Sequence, residues 1–111
     1  MNTLRLTEAA ALSIVEQSDY YLQQSGEALA LRWESAVDDA LRSLLQMPER
    51  GARCHLKASQ LVGVRWIPLV GFPKYMVFYR YVADESIVHI LHLLHGAQEI
   101  EFIFGSGREK E

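Results

Sequence analysis

The stretch FPKYMVFYRYVADESIVHILHLLH, residues 72–95, reads as a β-hairpin, and its reading decides the fold. Residues 75–82 form a continuous run rich in aromatic and β-branched side chains, free of Gly and Pro. Residues 86–94 form a second such run. Ala83, Asp84 and Glu85 between them make a short polar turn of hairpin length. Both runs are apolar on nearly both faces, which is the pattern of central strands covered on two sides. The rest of the chain must supply that cover.

The chain has 111 residues, 50% of them hydrophobic and 23% charged, which suits one globular domain. A chain of this length buries roughly two-thirds of its unfolded surface and needs no metal or disulfide to fold. Cys54 is the sole cysteine, so an intramolecular disulfide is impossible, consistent with a reducing compartment. The first residues lack the charged-then-apolar pattern of a signal peptide, and no apolar run approaches about 18 residues. The expectation is a soluble, cytoplasmic protein with no membrane partner. The formal charge is −3 with only 11 Lys and Arg. Binding to nucleic acid irrespective of sequence rests on neutralising phosphates, so direct nucleic-acid binding by this acidic chain alone is not expected.

Working outward from the hairpin, residues 2–6 alternate apolar Leu4 and Leu6 with polar Thr3 and Arg5, which predicts a short, half-exposed edge strand. Thr7 is placed to N-cap a helix, with Glu8 in the first turn where the helix dipole favours an anion. That helix runs to about Gln24, with Ala11, Ile14, Val15, Ser18, Tyr21 and Leu22 as its expected buried stripe. Gly26 ends it in a left-handed cap. A second helix follows from about Glu27 to Met47, with Trp33, Val37, Ala40, Leu44 and Met47 repeating at four- and three-residue spacing. So short a joint predicts an antiparallel αα-hairpin. Pro48, Glu49, Arg50 and Gly51 read as a turn. Residues 52–62 are the least patterned and read as a loop, with one helical turn as the alternative. Residues 64–69 read as a strand that Pro68 marks as an end or an edge. Residues 100–104 read as a short final strand or extended arm, and residues 105–111 as a polar, frayed tail. The fold class is α+β in the order β-α-α-β-β-β. An N-terminal strand and an αα-hairpin pack on one face of a mainly antiparallel sheet of three to five strands. Residues 1–104 make the single domain.

Candidate chemistry is sparse. His89, His92 and His95 lie close in sequence, but strand alternation puts His89 and His95 on one face and His92 on the other, so they do not converge on a metal. They read as polar positions within a sheet. Cys54 and His55 are neighbours, whose side chains rarely face each other, and no activating environment is visible. Tyr75, Phe78, Tyr79 and Tyr81 resemble a base-stacking platform only in composition; with both faces apolar they read as core. Arg65, Lys74 and Arg80 are left as a small basic rim. The residues call for no cofactor. Trp66, Pro68, Leu69, Phe72, Phe102, Ile103 and Phe104 sit at strand ends and in the C-terminal arm. They either close the core or form an apolar surface for a protein partner. Of these, Trp66, Pro68, Leu69, Phe72, Phe102 and Phe104 are the candidate partner-binding residues.

Five pieces taken in order carry a family resemblance. They are Leu6-Thr7-Glu8-Ala9 opening the first helix, Asp19-Tyr20-Tyr21 near its end, and Met47-Pro48-Glu49-Arg50-Gly51 closing the second. Val77-Phe78-Tyr79-Arg80 on the hairpin and Leu94-His95-Gly96-Ala97-Gln98 after it complete the set. Over residues 4–100 the chain resembles the RelE/ParE superfamily of bacterial toxins, and within it the ParE branch. The resemblance implies the toxin of a type II toxin–antitoxin pair, with a role in plasmid stabilisation or stress response. A cognate antitoxin would silence it by folding a disordered segment onto it.

The superfamily has two functional branches. RelE-like members cut mRNA in the ribosome with basic and phenolic side chains. In this chain the positions that resemblance assigns to those groups hold Met76, Gln98 and Phe104, which cannot do that chemistry. ParE-like members inhibit DNA gyrase and block replication without catalysis. The resemblance therefore implies a gyrase-inhibiting toxin that is not an enzyme. The alternatives are a ribosome-dependent mRNA endonuclease built on Lys57, Arg65, Tyr79 and Arg80, or a degenerate, non-toxic antitoxin-binding module. Many ParE sequences carry Arg where Gln98 stands and Asp where Glu99 stands. The resemblance also predicts a neighbouring reading frame encoding a DNA-binding domain with an acidic or amphipathic tail.

Overall fold

The computed structural model describes residues 1–54 and 63–96. The expected final strand over residues 100–104 and the tail over residues 105–111 lie outside the described residues. The elements are β1 (Thr3–Leu6), α1 (Glu8–Ser25), α2 (Glu27–Gln46), β2 (Ala52–Arg53), β3 (Val64–Leu69), β4 (Phe72–Val82) and β5 (Ile87–His95). A single 3-10 turn at Ala83–Glu85 joins β4 to β5. The five strands form one sheet in the order β1-β5-β4-β3-β2. Strand β1 pairs parallel to β5, and every other pairing is antiparallel. The expected hairpin therefore sits at the centre, with β4 in the middle position. Strand β2 was expected as loop. Its two residues pair with Trp66 and Arg65 of β3, a register too short to leave any periodicity in sequence. No described helix is long and apolar enough to cross a membrane.

Both helices pack on one face of the sheet. The main core joins Ala10, Trp33, Val37 and Leu44 from the helices to Ile67, Leu69, Val77, Tyr79, Val88, Ile90 and Leu93 from the sheet. A smaller cluster of Val64, Phe78 and Leu94, flanked by Cys54, Trp66, Met76 and Leu91, lies on the opposite face. Trp33 anchors the helical layer. Its ring meets Tyr75, Phe72 and Tyr21 edge-on at centroid distances of 4.7, 5.3 and 5.7 Å, and its indole N–H donates to the Ile14 carbonyl at 3.1 Å.

The stripe expected on α2 is buried at Trp33, Val37 and Leu44, but Met47 stands at the C-cap and is exposed. The stripe expected on α1 is rotated. Ala10, Ile14 and Tyr21 face the core, whereas Val15 and Leu22 face solvent. Helix α1 carries two apolar stripes, and only packing against α2 and β5 selects between them. At Gly26 the backbone takes φ +93°, which an L side chain rarely adopts, and this permits the immediate reversal into α2.

Helix α1 is coupled to an irregularity in the central pair. Phe78 pairs with His92 and Tyr79 with Ile90, so Leu91 is an extra residue on β5. Its carbonyl accepts from the Thr7 hydroxyl at 2.7 Å, and the same hydroxyl oxygen accepts from the Ala10 N–H at 3.1 Å. One side chain thus caps α1 and satisfies the bulge. Thr7→Val keeps the shape and removes both bonds. We expect a loss of about 1–3 kcal/mol, since a buried carbonyl loses its donor and the helix loses its cap. The measurement is the urea midpoint at pH 7; an unchanged midpoint would show that neither bond matters to stability.

Candidate functional site

The residues with any claim to chemistry divide between the two faces of the sheet. Tyr79 and Arg65 are cross-strand partners on the helix-facing side. Tyr79 is fully buried, and its hydroxyl oxygen accepts from the Gly51 N–H at 2.9 Å. The Arg65 guanidinium donates through Nη1 to the carbonyls of Glu49 at 3.1 Å and Gly51 at 2.8 Å. Together they hold the turn that leaves α2. The turn has no room for a side chain. A Cβ on Gly51 would lie 2.5 Å from the Tyr79 hydroxyl oxygen and 2.9 Å from the Trp66 carbonyl. Burial pushes the Tyr79 phenol above its ordinary value, against the opposing pull of the Gly51 hydrogen bond and the Arg65 charge.

The same end of α2 is secured twice more. Arg50 donates to the Ser43 hydroxyl at 3.1 Å, which in turn donates to the Ala40 carbonyl. The Asn2 amide donates to the Leu45 carbonyl at 2.9 Å, and the Tyr81 hydroxyl donates to Asn2 at 3.1 Å.

Arg80 lies on the opposite face. Its neighbours Tyr79 and Tyr81 both pack on the helix side, so Arg80 projects away and aligns with His89, which aligns with Arg5 of β1. The expected basic rim of Arg65, Lys74 and Arg80 is therefore not one rim. Arg65 is spent on the α2 turn, Arg80 is across the sheet, and Lys74 is exposed at the start of β4. Tyr79 and Arg80 cannot serve one site, and Lys57 lies outside the described residues.

The histidine parity changes too. Val88 and Ile90 face the helices, as does Leu93, three positions on from Ile90. The bulge at Leu91 flips the alternation. His89 and His92 thereby share the outer face, and His95 falls on the helix side with its ring 4.6 Å from that of Tyr75. Strict alternation had grouped His89 with His95. Among the described residues no three His, Cys, Asp or Glu side chains are grouped to hold a metal ion.

The partner-binding candidates are dispersed. Leu69 is 1% exposed and belongs to the main core, which corrects its reading as a surface residue. Phe72 is half-buried against Trp33 and Tyr21. Trp66 is half-buried on the outer face, and Pro68 is exposed. Pro68 and Phe72 share an open cleft of about 420 Å³ between α2 and the β3–β4 turn, where Arg32, Asp39 and Arg50 supply the charge. Phe102 and Phe104 lie outside the described residues, as does Gln98. Met76 packs against the outer cluster, which explains an apolar residue there. Sequence reading missed the exposed apolar positions on the helices, Leu12, Val15, Leu22 and Leu31. Their helical spacing was present in sequence but was assigned to the core.

An αα-hairpin laid on one face of a five-stranded sheet, with the first strand added parallel at the edge, is the architecture of the RelE/ParE toxins. The isolated RelE toxin of E. coli superposes with a TM-score of 0.55 at 13% identity, covering 98% of this chain and 99% of that one. The E. coli RelBE toxin–antitoxin complex gives 0.53 at 14% identity, covering 87% and 98%. A chromosomal ParDE toxin–antitoxin system from P. aeruginosa gives 0.69 at 23% identity, again covering 87% and 98%. The chain belongs to the ParE toxin family of type II toxin–antitoxin systems, whose family model matches residues 4–100. A search of curated protein sequences gives no match.

Two variants test the Gly51–Tyr79 contact. Gly51→Ala is expected to cost on the order of 3 kcal/mol, because the new methyl meets a buried ring and a backbone carbonyl. Tyr79→Phe strands the Gly51 N–H and should cost about 1–3 kcal/mol at pH 7. The phenol also has a pH signature. A raised folded pKa means its contribution is complete below about pH 10 and is lost as pH rises through the folded value, where the unfolded chain ionises first. Urea midpoints from pH 9 to 12 should therefore fall more steeply for the wild type than for Tyr79→Phe; parallel curves would contradict the assignment.

Proposed function

We propose that this protein is the toxin of a type II pair that acts in the cytoplasm by binding and inhibiting DNA gyrase, with no chemistry of its own, and that a cognate antitoxin neutralises it. Membership of the ParE family supports the gyrase target, since the match over residues 4–100 covers all the described elements. The observation that carries the non-catalytic reading is the use made of Tyr79 and Arg65. A phenol that serves as general acid or base must reach solvent and substrate. Tyr79 is buried with its oxygen on the Gly51 amide, and the Arg65 guanidinium is occupied by two backbone carbonyls. Arg80, on the other face, has neither as a neighbour across the sheet. Met76 takes the place where resemblance to the nuclease branch puts a strand arginine.

Purified protein added to gyrase and relaxed plasmid should abolish supercoiling in a dose-dependent manner, with relief on adding the antitoxin. Unchanged supercoiling at large molar excess of toxin would sink the gyrase claim. Primer extension on translated mRNA run alongside should show no ribosomal A-site cleavage.

A further inference from the structure

The helical layer leaves a second apolar stripe without cover. Leu12, Val15 and Leu22 on α1 and Leu31 on α2 are each between 51% and 56% exposed. Helix geometry, at about 100° per residue, places them together. Ser18 donates a hydrogen bond to the Glu34 carboxylate across the hairpin, so these two residues mark the seam between the helices. Val15 and Leu22 lie roughly 40–60° round from Ser18 toward solvent. Leu31 lies roughly 60° round from Glu34 on the other side, level with Leu22 beside the Gly26 joint. The four side chains therefore flank one shallow groove along the outside of the hairpin. Large exposed apolar residues at helical spacing are what a partner helix docks on.

The charge around this groove selects the partner. Glu8 and Asp19 stand within the α1 stripe and Glu16 beside it, while Glu27, Glu34 and Asp38 share the outward arc of α2 with Leu31. All six are exposed. The guanidinium on that arc, Arg42, is paired to Asp38 at 2.8 Å. The groove is apolar at its centre and anionic along both banks. An acidic segment laid there would bring like charges together with no cation to receive them, whereas basic residues flanking an apolar stripe complement it.

We propose that the outer face of the αα-hairpin docks a cationic amphipathic helix of a protein partner, with apolar side chains in the Val15–Leu22–Leu31 groove and Lys or Arg on the carboxylates. This rests on the antitoxin partnership proposed above and specifies its chemistry. The segment that covers these helices is basic, in place of the acidic or amphipathic tail that family resemblance predicts.

The full-length chain is titrated against a labelled 18-residue helical peptide with Leu at three- and four-residue spacing and Lys at the flanking positions. A counterpart with Glu for Lys and a scrambled Lys peptide of equal composition serve as controls. The Lys peptide should bind at least tenfold more tightly than either control and weaken as salt is raised. Val15→Ser with Leu22→Ser should cost it at least tenfold, in a chain whose circular dichroism and Tm remain those of the wild type. Equal binding of the scrambled peptide, or of the Glu counterpart, overturns the inference, as does binding that the double variant leaves unchanged. The two readings separate in growth assays. A neutralising partner indifferent to the double variant overturns this surface and keeps the antitoxin. Tight, groove-dependent binding of the Lys peptide with no neutraliser found keeps the surface and removes the antitoxin.

Discussion

The contact between the Tyr79 hydroxyl and the Gly51 amide holds the two layers of this protein in register. Tyr79 stands near the middle of the central strand and is fully buried, so its oxygen must find a donor. It finds one in the turn that leaves α2. Arg65, one strand over, takes two carbonyls of the same turn. The end of α2 is thereby fixed over β3 and β4, and Trp33 is drawn down onto Tyr75 and Phe72. Gly51 is glycine because the ring that anchors it also occupies the space of its Cβ.

A second constraint acts at the other end of the helical layer. The extra residue in β5 frees a carbonyl that the ladder does not use, and Thr7 meets it while capping α1. The bulge also reverses the strand's alternation beyond it, so that Leu93 returns to the helix face and His92 leaves it. The two tethers, at opposite ends of the hairpin, leave α1 and α2 little freedom to rotate. That rigidity keeps Val15 and Leu22 turned outward despite their apolar character.

The functional reading follows from what the polar side chains are already committed to. In this member of the ParE toxin family the phenol and the arginine nearest the central strand are structural. The charge of the chain is unevenly placed. Carboxylates crowd the outer side of the hairpin, whereas Arg5, Arg50, Arg53, Arg65, Lys74 and Arg80 lie on or beside the sheet. A protein with one acidic, partly apolar layer and one basic layer offers different surfaces to different partners, which suits a molecule whose work is binding.

Much of this was legible in sequence. The central hairpin, the N-cap at Thr7, the reversal at Gly26 and the stripe of Trp33, Val37 and Leu44 are local patterns, set by side-chain period and by the few residues that tolerate special backbone conformations. The family resemblance was legible too, since its motifs are those local signals in order. Tertiary structure alone decided the rest. Which of two apolar stripes on α1 is buried depends on where α2 and β5 lie, because both stripes satisfy the helical period. Which histidines share a face depends on one inserted residue, which no alternation count reveals. That Tyr79 is a structural group depends on a backbone amide 28 residues away, and that Leu69 is core depends on helices packing across the strand end. Local periodicity specifies that a residue is apolar or polar and on what kind of element it lies; the direction it faces is a property of the packed whole.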